Sequence, residues 1–279
     1  MKSLMEFQKG FIYYSFMDSL RHSLMNSNGI PQRILVSEPI EEMCMPVIVF
    51  VSPKGGAGKT TSALALAMQI AQRVPVTVID ADPNHPIKSW SEGGNTPELM
   101  TVISDVTDKT IGETIAEAAT KTAFVIVDLE GTAATIVAYA IAESDFVVVP
   151  TQGSQLDAEQ ASRAFGLIRA HERGIQKHKP DYKLPYAVLF TRTSAAIQSR
   201  DTRHIRESFK AGGIPFFETE LNERAAFKAM FSYQLPLDEL PRNEVSNVEK
   251  AIENAEAFTI ELISKITPDT AQELKKVTS

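Results

Sequence analysis

From Pro46 onward the chain alternates two hydrophobic patterns. Short runs at 47–51, 76–79, 101–103, 124–127, 146–149, 187–190 and 215–217 are almost continuously apolar and rich in β-branched residues, as strands buried on both faces are. Between them, Thr60 to Arg73, Ile111 to Lys121, Ala133 to Ala142, Asp157 to Arg173 and Asp201 to Ala211 have helical length and composition. A last helix is predicted from Asn243 to Ile266, stopped by Pro268, with Val245, Val248, Ile252, Ala255, Phe258, Leu262 and Ile266 near one stripe. This strand, turn, helix rhythm predicts an α/β fold: a mainly parallel twisted sheet flanked by helices on both faces.

Residues 1–45 stand outside the rhythm. Leu4, Phe7, Phe11, Tyr14 and Leu20 could line a helix, but the stretch Asn26-Ser27-Asn28-Gly29-Ile30-Pro31 breaks it. The segment reads as a partner-binding arm, a loose tail, or residues upstream of a natural start at Met43 or Met45. The expected organisation is an N-terminal extension over 1–45, one domain over 46–267 and a C-terminal tail over 268–279.

Composition narrows the class. At 279 residues, 43% hydrophobic and 23% charged, the chain is of ordinary globular type. No apolar run approaches the roughly 18–20 residues that span a bilayer. The single cysteine, Cys44, can neither form an internal disulfide nor complete a zinc site without other ligands. The cytoplasm is the expected compartment. The net charge of −7 hides a local excess: residues 161–210 carry eleven basic and four acidic side chains, +7, which leaves −14 for the rest.

The strongest chemical signal follows the first strand. Ser52-Pro53-Lys54-Gly55-Gly56-Ala57-Gly58-Lys59-Thr60-Thr61 places a glycine-rich turn between a strand and an alanine-rich helix. Glycines let backbone N–H groups converge on phosphates, and the helix dipole favours the negative charge. Lys59 adds a point charge and Thr60 can ligate Mg²⁺. The unit predicts a P-loop NTPase fold that binds a nucleotide's phosphates with Mg²⁺, although Pro53 stands where the ordinary P-loop pattern has glycine.

Lys54 through Thr61 resembles the deviant Walker A box of the ParA and MinD family. In that family the extra lysine, matching Lys54, reaches the partner subunit's nucleotide when two subunits sandwich two ATP molecules. Three more segments match in order. Val78-Ile79-Asp80-Ala81-Asp82-Pro83 resembles the D-x-D-P segment; Asp82 is expected to orient the attacking water and Asp80 to support the metal and lysine network. Phe124 to Asp128 resembles Walker B, with Asp128 holding Mg²⁺ through water, although Leu129-Glu130-Gly131-Thr132 replaces the usual Thr-Pro-Pro-like turn. Pro150-Thr151-Gln152-Gly153-Ser154, with Asp157, resembles the P-x-Q-P-S switch and dimer segment, Gly153 replacing the second proline.

The resemblance covers roughly Pro46 to Ile263 and implies a slow ATP hydrolase, stimulated by a partner, that dimerises with ATP and binds DNA without sequence preference. Lys54, Lys59 and Asp82 are its catalytic candidates. Gly55, Gly56, Ala57, Gly58, Thr60 and Thr61 are expected at the nucleotide, with Thr191 and Arg192 near the base. Arg200, Arg203, Arg206 and Lys210, spaced by 3, 3 and 4, share a helical face suited to a phosphate backbone. The stretch from Asp80 to Glu92, with its tryptophan, is similar to small ParA-like proteins, including the Vir C ATPase of conjugative T-DNA transfer. Plasmid or chromosome partitioning with a ParB-like partner, and conjugative transfer with a relaxosome partner, are both implied, in a cytoplasmic, nucleoid-associated protein.

Three rivals fare less well. A MinD-like membrane-positioning role needs a basic amphipathic tail, and residues 267–279 offer only Lys275 and Lys276, so no stable membrane anchor is expected. An electron-transfer ATPase of the nitrogenase iron protein type needs two cysteines per subunit. A ligase of the dethiobiotin-synthetase type needs substrate-specific polar groups that the pattern does not single out.

Overall fold

The computed structural model describes residues 45–131, 134–195 and 200–266. The expected N-terminal extension, apart from the buried Met45, and the C-terminal tail lie outside the described residues.

Seven parallel strands form one sheet in the order β3-β2-β4-β1-β5-β6-β7. They are β1 (Val47–Phe50), β2 (Val76–Ala81), β3 (Met100–Ile103), β4 (Phe124–Leu129), β5 (Phe146–Thr151), β6 (Tyr186–Thr193) and β7 (Leu221–Asn222). The helices are α1 (Lys59–Ala71), α2 (Pro86–Ser91), α3 (Ile111–Lys121), α4 (Ala134–Ala142), α5 (Gln155–Gln176), α6 (Arg200–Ala211), α7 (Ala225–Tyr233) and α8 (Val248–Ile266). One apolar cluster packs α1, α7 and α8 on one face of the sheet; a second packs α3, α4, α5 and α6 on the other. Strands β1, β2, β4 and β5 are buried along their whole length, which is why they read as unbroken apolar runs. Helix α1 is buried on nearly every side between the sheet and α8, so its sequence is apolar all round.

Two elements depart from the hydrophobic pattern. The apolar run at 215–217 makes only an isolated bridge, Val188 with Phe216. The backbone just beyond it is held by α8: Glu261 accepts from Glu218 N and Thr219 N at 2.8 Å each, and Asn254 accepts from Asn222 N at 2.9 Å. The chain joins the sheet afterwards, at Leu221 and Asn222. The last helix begins at Val248, because residues 241–247 are spent on turns that start with Pro241. Among the described residues no helix is long and apolar enough to cross a membrane.

Strand β1 lies between β4 and β5: the connection from β1 runs to β2 on one side of it, and the connection from β4 crosses to β5 on the other, so the strand order reverses here. In such sheets ligands bind beyond the carboxyl ends of the strands at this point of reversal. The glycine-rich loop, Asp80 to Asp82, Asp128 and Thr151 to Ser154 all follow or close strands at that edge.

Candidate functional site

The loop from Ser52 to Gly58 leaves β1 and feeds directly into α1. Gly56 (φ +76°) and Gly58 (φ +88°) adopt left-handed backbone, which a side chain would oppose. Helix α1 has no acidic side chain in its first turn and no side-chain cap at Gly58. Its leading N–H groups therefore remain available to an anion. Lys59 is buried at the helix start and Thr60 is half-buried beside it.

Three carboxylates sit at the neighbouring strand ends. Asp128 pairs in register with Phe50 of β1 and Asp80 of β2. It is fully buried, and among the described residues neither carboxylate oxygen has a partner at good hydrogen-bond geometry, although the Thr60 hydroxyl is close enough to act on it. Burial pushes its pKa up to about 7; Thr60 and Lys59 pull the other way, and the Asp80 and Asp82 charges add to the rise. The buried Asp128 carboxylate and the Thr60 hydroxyl are oxygen donors that a Mg²⁺ ion would satisfy, with the Lys59 ammonium left for a phosphate.

Asp80 has a different occupation. Its Oδ2 accepts from Ile87 N at 2.8 Å and Lys88 N at 2.9 Å, so it caps α2 from seven residues upstream. Burial raises its pKa, and these backbone donors oppose the rise. The support expected from Asp80 thus reaches the loop of Asp82 and α2 directly. Asp82 itself is half-buried; one oxygen is engaged by Asn84 N and Nδ2 at 2.9 Å each, and the other has no hydrogen-bond partner among the described residues.

On the opposite side of the loop, Lys54 Nζ meets Asp157 Oδ1 at 2.5 Å. Asp157 is 3% exposed at the start of α5, where its other oxygen accepts from Ser154 Oγ. Gln152 Nε2 donates to Gly56 O at 2.9 Å, and Thr191 Oγ1 donates to Ala57 O at 2.7 Å. Lys54, Gln152, Ser154, Asp157, Arg192 and Glu220 line much of a polar cavity of about 340 Å³ beside the loop. Arg192 is exposed with left-handed backbone (φ +54°), whereas Thr191 is buried beneath Gly58. The base contact expected of Thr191 therefore meets a competing use: its hydroxyl is committed to the loop.

The two departures from the family pattern have steric causes. A Cβ at Gly131 would stand 2.5 Å from Ser52 O and 3.1 Å from Pro53 O, both backbone atoms of the loop. A Cβ at Gly153 would collide with Thr202 Oγ1. Each glycine permits a close approach that a proline would block.

The basic face divides. Arg203 and Lys210 are exposed, and Arg200 is exposed at the helix start; none of the three forms an ion pair with a described residue. Arg206 does not belong with them. Its guanidinium pairs with Glu220 and, at 2.8 Å, with Glu218, and lies 5.0 Å and 5.5 Å from the Phe216 and Phe190 ring centres. It sits toward the buried side of α6, whose inner residues are Thr202, Ile205 and Phe209, and it is structural. On α5, Arg163, Arg169 and Arg173, with Lys177 just past its end, are exposed and unpaired among the described residues, away from the buried Ala161, Ala164, Phe165 and Ile168. Their helical spacing was available in the sequence as a second basic face. The contacts of Gln152 and Asp157 were not, although Ser154-x-x-Asp157 does carry a helix-start signature.

Comparison with known proteins agrees with this arrangement. The family described as VirC1 protein matches residues 45–266. The protein named ParA of Rhizobium radiobacter is 40% identical over 224 residues, covering 80% of this chain and 98% of that protein. The protein virC1 of Rhizobium rhizogenes is 27% identical over 192 residues, covering 67% and 80%. The septum site-determining protein MinD of Pyrococcus horikoshii, solved with Mg-ADP, shares the fold with a TM-score of 0.55 at 14% identity, over 75% of this chain and 94% of that one. The chain belongs to the VirC1 family, with a protein named ParA among its relatives.

Proposed function

We propose that the chain is a Mg²⁺-dependent ATP hydrolase that works as a nucleotide-controlled DNA-positioning switch. The observation that carries this reading is the convergence of an uncapped α1 N-terminus, the buried Lys59 and the buried Asp128 on one glycine-rich loop. Thr60 and Asp128 would hold the Mg²⁺ ion, which neutralises charge on the transferred phosphoryl group. Lys59 draws the phosphates into the cradle, and Asp82, whose second oxygen has no described partner, positions water for attack. Arg192, which lines the cavity beside the loop, would meet the base.

In this reading ATP brings two copies together, and Lys54 leaves Asp157 for the partner's nucleotide. The exposed arginines and lysines of α6 and α5 then follow a DNA backbone without reading sequence. Residues 46–267 form the ATPase unit, acting in the cytoplasm on nucleoid or plasmid DNA. The similarity to the Rhizobium radiobacter ParA favours partitioning with a ParB-like partner, and the VirC1 family match supports conjugative transfer with a relaxosome partner as the second reading.

The test is ATP turnover with Mg²⁺ and with chelator, in wild type, Lys59→Ala and Asp82→Ala. Slow Mg²⁺-dependent release of phosphate, lost in both variants while Asp82→Ala still binds ATP, supports the reading. Turnover unaffected by either change overturns it.

A further inference from the structure

We propose that Thr191 and Gln152 are positioning residues of the phosphate cradle, acting on the nucleotide only through the backbone of Ala57 and Gly58. This rests on the nucleotide-binding reading above and adds how the cradle is held open.

A peptide unit is planar and trans, so its C=O and N–H point in opposite directions. The unit joining Gly56 to Ala57 carries Gly56 O and Ala57 N–H; the next carries Ala57 O and Gly58 N–H. Gln152 Nε2 holds the first carbonyl at 2.9 Å and Thr191 Oγ1 holds the second at 2.7 Å. Fixing both carbonyls toward β5 and β6 turns the two N–H groups the other way. Successive N–H groups aligned in this manner form an anion-binding concavity.

The anchors matter because the loop is permissive. Gly55, Gly56 and Gly58 impose little resistance to a peptide flip, and Gly56 and Gly58 already occupy left-handed backbone. A flipped unit would present a carbonyl oxygen to a phosphate and repel it. Thr191 is well placed to prevent the flip, because it is buried and its hydroxyl also lies 3.3 Å from Thr151 O. Its Cβ, Cγ2 and Oγ1 stand 3.2–3.3 Å from where a Gly58 Cβ would be. Gln152 shares its loop with Ser154, just ahead of Asp157, so one segment grips the cradle at Gly56 and at Lys54. The side chain at 191 therefore governs affinity for phosphates irrespective of the base attached to them.

The experiment is displacement of a fluorescently labelled ATP by MgATP, MgGTP and magnesium tripolyphosphate, in wild type, Thr191→Val, Thr191→Ser and Gln152→Met. Thr191→Val is expected to weaken all three ligands equally, by about tenfold. Thr191→Ser restores the hydroxyl and is expected to lie within about twofold of wild type, while Gln152→Met, at a more exposed position, loses about threefold on all three. Loss confined to MgATP makes Thr191 a base contact and overturns the proposal. Unchanged affinity in Thr191→Val and Gln152→Met, with binding by wild type intact, also overturns it. Failure of wild type to bind any of the three overturns the nucleotide site itself.

Discussion

Lys54 and Asp157 stand 103 residues apart in the chain and 2.5 Å apart in space, the lysine about one-third exposed and the carboxylate buried. The contact ties the glycine-rich loop to the start of α5 within one subunit. In the proposed dimer, where Lys54 would serve the second subunit's nucleotide, this contact withholds it, and association would exchange one pairing for the other.

Weakening that pairing shifts the exchange. Asp157→Asn keeps a polar group for Ser154 and removes the charge that holds Lys54. The expected result is ATP-dependent self-association tightened roughly threefold to tenfold, since a partly exposed ion pair contributes about 1 kcal/mol. Analytical ultracentrifugation with ATP measures it, alongside Lys54→Ala, which should remain monomeric. Weaker association of Asp157→Asn would mean that Asp157 acts in the dimer instead.

Asp128 gives the site a pH dependence. Its pKa is raised in the fold to about 7 from 3.8, so folding favours the protonated form. Its contribution to stability is therefore full below about pH 4 and is lost as pH rises through 7, a change of about 4 kcal/mol. Urea midpoints without metal should fall between pH 5 and pH 8 by clearly more in wild type than in Asp128→Asn. Magnesium runs the opposite way, because only the ionised carboxylate helps to hold it. The gain in ATP affinity that Mg²⁺ confers should shrink by about tenfold per pH unit below 7. A pH-independent gain contradicts the assignment of Asp128 to the metal.

Gly131 tests the packing of the turn beneath the loop. Gly131→Ala drives a methyl group against Ser52 O and Pro53 O, which cannot yield without moving the loop. Strain of this kind costs about 1–3 kcal/mol. Nucleotide affinity by isothermal titration calorimetry should fall about tenfold or more, and an unchanged affinity would show that the loop tolerates displacement there.

Arg206 and its helical neighbours should behave in opposite ways. Arg206→Ala leaves Glu218 and Glu220 facing each other without their cation and is expected to lower stability by about 2 kcal/mol. Arg203→Ala with Lys210→Ala should leave the thermal midpoint unchanged and reduce the salt dependence of DNA binding, by about 0.9 in log–log slope for each phosphate no longer neutralised. A stable Arg206→Ala protein, or an unaltered salt slope in the double variant, contradicts this division of the basic face.

Much of the fold was legible because β1, β2, β4 and β5 are buried on both faces and its longer helices are either apolar all round, as α1 is, or keep an apolar stripe. Two helices carry no such signature, for physical reasons. Helix α2 has only six residues, too few for a period, and depends on a cap from Asp80 on another element. Helix α7 reads AAFKAMFSY, with too little polar contrast to show a face. At the site, residues that close a strand, such as Asp80, Asp82 and Asp128, could be placed together from their motifs. The clasp of Lys54, Gln152 and Thr191 could not. It exists only because β5 lies beside β1 and β6 beside β5, a relation that follows from strand order and not from spacing. Arg206 shows the converse: its spacing matched Arg203 and Lys210, but two acidic residues after β6 had already claimed it.

The central claim, that ATP converts this protein into a DNA-binding dimer through Lys54, is tested most directly by fluorescence anisotropy of a random-sequence duplex. Wild type, Lys54→Ala and Asp82→Ala are compared with ATP, ADP and no nucleotide across a salt series. The expected result is salt-sensitive binding with ATP alone, abolished in Lys54→Ala and preserved or prolonged in Asp82→Ala. Binding that is equal in all nucleotide states, or absent from all of them, contradicts the claim.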